Sequence, residues 1–96
     1  MSSKELAKIF KALSNENRLN IYKEIAKLDN DDYKLKEECS LAEILSYLNI
    51  GAPTISHHLK ELANADLITT EKNGKFLVAR INKDTLEKIR DLIDLK

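Results

Sequence analysis

The chain has 96 residues, of which 43% are hydrophobic and 33% are charged, and its formal net charge is zero. This length predicts a single domain with one modest core, and it excludes a multi-layered enzyme with a deep cleft. No apolar run approaches the roughly 20 residues of a membrane span, and the first residues lack the apolar stretch of a signal peptide. The single cysteine, Cys39, excludes an internal disulfide and is typical of a reducing compartment, so we expect a cytoplasmic protein that does not enter membranes.

The zero net charge hides an uneven distribution of charged residues along the chain. Residues 29–44 contain six acidic residues and two lysines, whereas residues 51–81 contain four basic residues and three acidic ones. The second segment also contains both histidines, His57 and His58. The sequence is therefore compatible with a modest contact to nucleic-acid phosphates, and a large non-specific contact is not expected.

Two amphipathic helices are predicted at the start of the chain. Apolar residues recur at the helical spacing of three and four over residues 3–13, and again over residues 15–28. Ser14 and Asn15 interrupt the pattern, and either side-chain oxygen can cap the second helix. We therefore expect two consecutive helices with a very short connection.

The middle of the chain predicts a loop followed by two closely connected helices. Residues 29–39 are polar and acidic and indicate a loop, and a capping-box pattern followed by spaced leucines predicts a short helix over residues 40–48. Gly51 allows a tight turn, and Pro53 is tolerated in the first turn of a helix that we predict over residues 52–65. Two adjacent helices joined by a turn that contains glycine are typical of a helix-turn-helix.

The last third of the chain predicts a β-hairpin and a final helix. Residues 67–81 are rich in β-branched residues, and Asn73-Gly74 within them is the strongest short hairpin signal. Apolar spacing predicts a last helix over residues 83–95. The expected fold is mainly α with a small β-hairpin, a winged helix-turn-helix in which the hairpin is the wing, and the whole chain forms one domain.

The second helix of a helix-turn-helix enters the major groove of DNA, and its amino-terminal residues contact the base edges. In helix 52–65 we expect Ile55, Leu59 and Leu62 to face inward, and short polar side chains, imidazoles and a lysine to face outward. Serine and threonine can hydrogen-bond to bases, and lysines suit phosphates along the groove or beside the wing. The candidate DNA-contacting residues are Thr54, Ser56, His57, His58 and Lys60 on the helix, and Lys72, Asn73 and Lys75 on the wing.

The two adjacent histidines are a weak signal for a metal. Neighbouring residues on a helix point about 100° apart, so His57 and His58 would not easily share one ion. We interpret His57 as a residue that faces DNA, and His58 as a residue that packs or lies on the phosphate side.

Three motifs resemble the ArsR/SmtB family of winged-helix repressors. Residues 10–19, Phe-Lys-Ala-Leu-Ser-Asn-Glu-Asn-Arg-Leu, resemble the opening signature of that family. Residues 53–62, Pro-Thr-Ile-Ser-His-His-Leu-Lys-Glu-Leu, resemble its recognition-helix signature. Residues 65–68 followed by Gly74-Lys75 resemble the lead into its wing, and the three motifs occur in the order that the family has.

The resemblance implies a homodimer that is joined through the first and last helices and binds a palindromic operator in double-stranded DNA. It also implies that a signal releases the DNA, although the sequence does not identify the effector. Helices 3–13 and 83–95 carry more apolar residues than a monomer of this size can easily bury, which agrees with a dimer. The candidate interface residues are Leu6, Ile9, Phe10, Leu86, Ile89 and Ile93.

The usual metal sites of this family are absent from the sequence. Many members carry a Cys-x-Cys-Asp motif in the helix before the turn, where this chain has Ser40, Ala42 and Glu43, and Cys39 falls one place outside it. Other members bind zinc through the last helix, which contains no histidine here. We expect no metal and no cofactor.

Two features have a structural and a functional interpretation. The acidic segment 29–39 makes the chain about nine residues longer than the family pattern that the resemblance implies, and it is either a tolerated surface loop or a regulatory one. Cys39 is either a packed thiol or a redox sensor, and the acidic neighbours Glu37 and Glu38 disfavour a reactive thiolate.

The expected function is sequence-specific DNA binding by a transcriptional regulator, most simply a repressor. A winged helix that serves only as a protein–protein module is the alternative, and it predicts an apolar outer face on helix 52–65. An enzyme is not expected, because the sequence shows no nucleophile with a paired base, no glycine-rich phosphate loop and no metal cluster.

Overall fold

The computed structural model describes residues 2–29, 48, 50–73 and 76–94. Within these residues the element order is helix, helix, helix, strand, strand, helix. The helices are α1 (Ser3–Leu13), α2 (Glu16–Asp29), α3 (Ala52–Asn64) and α4 (Lys83–Ile93), and the strands are β1 (Ile68–Asn73) and β2 (Phe76–Ile81). The predicted helix 40–48 and the acidic segment 29–39 lie outside the described residues, apart from Asp29 and Leu48.

Side-chain caps set the beginnings of α1 and α2. The Glu5 backbone N–H donates to Ser2 Oγ at 3.2 Å, and the Ser2 N–H donates to Glu5 Oε1 at 3.0 Å, which forms a capping box. Hydrogen bonds to the Glu5 carboxyl from the Ser2 backbone N–H and then from the Ser2 side chain lower its pKa. The Arg18 N–H donates to Asn15 Oδ1 at 2.9 Å, so Asn15, one of the two predicted candidates, caps α2. The second helix therefore starts at Glu16, one residue later than expected.

The hairpin pairs β1 with β2 in an antiparallel register that runs from Ile68↔Ile81 to Asn73↔Phe76. This confirms the predicted hairpin, although Asn73 belongs to the paired strand and the connection consists of residues 74–75. Asn82 Oδ1 then accepts the Thr85 N–H at 3.4 Å and caps α4, which ends at Ile93 instead of residue 95.

One hydrophobic core joins the helices to the base of the hairpin. Its largest fully buried side chains are Ile21 and Ile25 from α2, Leu62 from α3, and Leu67 just before β1. Ile9 from α1 and Ile89 from α4 are buried in the same cluster. The core therefore fixes α3 against α1 and α2 on one side and against the hairpin on the other.

Among the described residues, no helix has both the length and the apolar composition that crossing a membrane requires.

Candidate nucleic-acid interface

The amino-terminal end of α3 presents polar side chains to solvent. Gly51 precedes the helix in an extended conformation and makes no side-chain cap, and Pro53 lies in the first turn, where its missing N–H is not needed. The exposed side chains that follow are those of Thr54, Ser56, His57 and Lys60. These are hydroxyl, imidazole and ammonium groups, which can hydrogen-bond to base edges or pair with phosphates.

Strand β1 lies beside this exposed face and makes a groove with it. The groove has a volume of about 260 Å³, with Leu59 and Ala63 among its lining residues. Its polar lining is Ser56, Lys60 and Asn64 from α3 and Thr70 from β1. Asn64 and Thr70 were not among the residues predicted from the sequence. Asn64 is four residues beyond Lys60, so helical spacing could have found it, whereas Thr70 needed knowledge of how the hairpin packs.

A Schellman motif fixes the angle between α3 and the wing. Asp66 has a φ of 61°, in the left-handed region, directly after the helix. The Leu67 N–H donates to the Leu62 carbonyl at 3.0 Å, and the Asp66 N–H donates to the Ala63 carbonyl at 3.0 Å. Leu62 and Leu67 are both fully buried, which supplies the hydrophobic contact typical of this motif. The exposed face of α3 and strand β1 are therefore held in one geometry.

His58 does not face outward, so its placement in the outward set was wrong. Its side chain is only 6% exposed, and its Nδ1 accepts a hydrogen bond from Arg18 Nε at 3.4 Å. Burial is the main cause that lowers the His58 pKa, and the positive charges of Arg18 and His57 lower it further, while Glu61 opposes them. The packing interpretation of His58 is the one that the structure supports.

The apolar spacing of α3 already contained the signal for this burial. Ile55, Leu59 and Leu62 were predicted to face inward, and position 58 completes the i, i+3, i+4, i+7 pattern that starts at Ile55. Ile55 is half-buried, and Leu59 and Leu62 are buried as predicted. The polar identity of His58 led to its assignment to the wrong face.

The wing is described only in part. Lys72 and Asn73 lie at the end of β1, where their backbones pair with Leu77 and Phe76. Their side chains, and residues Gly74 and Lys75, lie outside what the structure describes. The predicted contacts of Lys72, Asn73 and Lys75 with DNA therefore stay predictions.

The predicted dimer residues divide into buried and accessible ones. Ile9 and Ile89 are only 2% and 9% exposed within one protomer, so the prediction that they face a partner was wrong. Leu6 and Leu86 are half-buried. Phe10 and Ile93 are 42% and 66% exposed, as a dimer contact requires. The other large exposed apolar residues among those described are Leu19 and Leu92, which the sequence did not single out.

The described residues do not fit a metal ion. Within the described ranges, no group of three or more histidine, cysteine, aspartate or glutamate side chains could hold one. The two histidines have tilted rings with centroids 5.8 Å apart, and one of them is engaged by Arg18. Cys39 and residues 40–47 lie outside the described ranges, so the absence of a metal site in the whole chain stays a prediction.

The chain was compared with known proteins. The family model of a helix-turn-helix domain matches residues 13–71 of the sequence. The arsenical resistance operon repressor of Staphylococcus xylosus is 35% identical over 95 residues, which cover 99% of this chain and 83% of the repressor. A crystal structure of an ArsR family transcriptional regulator superposes with a TM-score of 0.72 at 17% identity and covers 97% of this chain and 87% of that one. The solution structure of a homodimeric winged helix-turn-helix DNA-binding domain from Mycobacterium bovis gives a TM-score of 0.68 at 22% identity, covering 94% of this chain and 75% of that one.

These similarities confirm the family that the sequence motifs indicated. The helix-turn-helix match spans α3, and the structural similarity extends over the terminal helices and the hairpin. The predicted winged-helix fold and the prediction that the protein is not an enzyme are confirmed as well. The chain belongs to the ArsR family of winged helix-turn-helix proteins, which are DNA-binding transcriptional regulators.

Proposed function

We propose that this protein is a repressor that binds a palindromic operator in double-stranded DNA as a homodimer. The observation that carries the proposal is the exposed polar face of α3, formed by Thr54, Ser56, His57 and Lys60, next to the groove with β1. In this arrangement Ser56 and His57 contact base edges, Lys60 contacts phosphate, and the wing lies along the backbone or the adjacent minor groove. A polar face of this kind disfavours a winged helix that serves only to bind other proteins.

The dimer in this proposal is joined through α1 and α4. Phe10 on α1 and Ile93 on α4 are exposed apolar side chains, and Leu92 extends the patch on α4. The similarity to a homodimeric domain from Mycobacterium bovis supports the same assembly here. A two-fold dimer presents two copies of α3, which matches two half-sites about one helical turn of DNA, or a multiple of it, apart.

Selection of bound duplexes from a random DNA pool tests the proposal. We expect the selected sites to share an inverted repeat, with the half-site spacing that a two-fold dimer imposes. A non-palindromic consensus would contradict binding to DNA as a two-fold dimer. Failure to enrich any sequence at low salt would contradict DNA recognition and would favour the protein–protein module.

We further propose that DNA release in this protein does not depend on a thiophilic or divalent metal. The sequence lacks the cysteine pair of the family at Ser40 and Ala42, and the described residues offer no alternative cluster. Titration of the protein–DNA complex with arsenite or zinc should leave the affinity unchanged. A stoichiometric metal in the purified protein, or release of the DNA by either ion, would refute this.

A further inference from the structure

The Arg18 side chain connects the three helices that meet behind the DNA-facing surface. Arg18 lies in the first turn of α2, where Asn15 caps its backbone N–H. Its Nη1 donates to the Ala12 carbonyl near the end of α1 at 3.2 Å, and its Nε donates to Nδ1 of His58 on α3 at 3.4 Å. Arg18 as a whole is half-buried. One rigid, planar cation therefore contacts the end of α1 and the side of α3 at once.

His58 is directly behind the exposed face of α3. Because Arg18 is always a donor, Nδ1 of His58 must accept, and the neutral ring carries its proton on Nε2. The charged or titratable groups acting on the ring are Arg18 from α2, and His57 and Glu61 from α3 itself. The group from α1 at this junction is the uncharged Ala12 carbonyl. The hydrogen bond thus exists only while His58 is neutral.

We propose that Arg18 and His58 are a positioning pair, which holds α3 at the angle at which Ser56 and His57 read DNA, and which opens when His58 is protonated. This inference rests on the proposed function of α3. A proton on Nδ1 would place two donors and two positive charges against each other in a half-buried site. The recognition helix would then lose its polar link to α1 and α2, although its apolar residues would stay in the core.

Only one of the two neighbouring histidines belongs to this device. His57 is exposed on the DNA-facing surface, so a substitution there changes a direct contact with DNA and leaves the pair with Arg18 intact. Protonation of His58 breaks the pair with Arg18 and disfavours binding. Single substitutions therefore separate the two residues.

The test uses the duplex selected by the wild-type protein. His58→Asn keeps an acceptor oxygen near the position of Nδ1 and cannot be protonated, whereas His58→Leu keeps apolar volume and removes the acceptor. At neutral pH we expect His58→Asn to bind nearly as the wild type does and His58→Leu to bind about tenfold more weakly. Arg18→Lys should also lose about tenfold, because a lysine cannot reach both partners with a planar fork. Lys23→Arg, at an exposed lysine of the same helix as Arg18, is the control and should change nothing.

The pH arm uses His57→Asn to remove the other histidine. On acidification from about pH 7.5 to about pH 5.5, the affinity of His57→Asn should fall severalfold, while the double variant His57→Asn/His58→Asn should not change. Equal pH profiles of these two variants would overturn the proposal. So would equal affinities of His58→Asn and His58→Leu when both melt at the wild-type temperature.

A measurement without DNA separates this inference from the proposed function. Nitrogen NMR shifts of the His58 ring in the free protein should show the neutral tautomer with the proton on Nε2, and acid should shift the α3 amides in His57→Asn and not in His57→Asn/His58→Asn. A proton on Nδ1 would overturn the pairing. If the wild type enriches no duplex, the proposed function fails, and the NMR result still decides whether His58 positions α3.

Discussion

His57 and His58 are neighbours in the sequence, yet they have opposite surroundings. His57 is exposed on the proposed DNA-facing surface, and His58 is buried and hydrogen-bonded to Arg18. The sequence predicts that the two side chains diverge by about 100°, and the apolar spacing of α3 assigns position 58 to the inner face. It could not predict the partner, because Arg18 is 40 residues away in the chain and reaches His58 only after α2 and α3 pack.

The phosphate contact assigned to Lys60 can be tested through the salt dependence of the affinity for DNA. Lys60→Ala should weaken binding to all duplexes alike and reduce the slope of log affinity against log salt by about two, because the dimer loses one phosphate contact from each copy of α3. Lys23→Ala, an exposed lysine on α2, is the control and should leave the slope unchanged. A slope that is identical for the wild type and Lys60→Ala would contradict the contact.

Local sequence patterns predict the helices and strands. The caps at Ser2, Asn15 and Asn82 begin α1, α2 and α4, and the β-branched residues around Asn73-Gly74 predict the hairpin. The wrong assignments of Ile9 and Ile89 have one cause. Ile9 and Ile89 satisfy the amphipathic pattern of α1 and α4, but a periodic pattern does not distinguish a residue that packs within the protomer from one that packs against a partner.

The exposed end of α4 gives the dimer interface a direct test. Ile93→Lys should convert a dimer into a monomer, because burying an isoleucine contributes about 2 kcal/mol and a two-fold interface contains it twice. Together these losses raise the dimer dissociation constant by roughly three orders of magnitude. Asp91→Lys places the same charge on the exposed last turn and should remain dimeric. Sedimentation velocity distinguishes the two, and a dimeric Ile93→Lys would exclude this part of α4 from the interface.

Across the part of the molecule that the structure describes, one core carries both the stability of the fold and the orientation of the DNA-facing surface. Leu62 on α3 and Leu67 before β1 are fully buried with Ile21 and Ile25 of α2. The composition and the periodicity predict that such a core exists and that it contains these aliphatic residues. They do not predict the groove between α3 and β1, because its shape depends on the backbone turn at Asp66 and on the contacts across it.

The buried histidine also couples the stability of the fold to pH. Because burial lowers the pKa of His58 below its ordinary value of 6.5, the unfolded chain binds a proton more readily than the folded one as the pH falls. The contribution of neutral His58 to the free energy of unfolding is therefore present above pH 6.5 and is lost progressively below it. Urea unfolding at several pH values and a fixed protein concentration should show this loss in the wild type and in His57→Asn, and not in His58→Asn. An equal loss in all three would assign it to other groups.

The left-handed backbone conformation of Asp66 limits which sequence changes the protein can accept without losing its function. The Schellman motif ends α3 at a fixed residue, so the number of residues between Ser56 and Asp66 sets the rotational phase of the wing around the helix axis. A single inserted residue in that interval would turn the wing by about 100° and shift it by about 1.5 Å. Helix and hairpin would both survive, but they would point at different sides of the duplex. Side chains on this surface can therefore vary to recognise new sequences, whereas the length of this interval cannot.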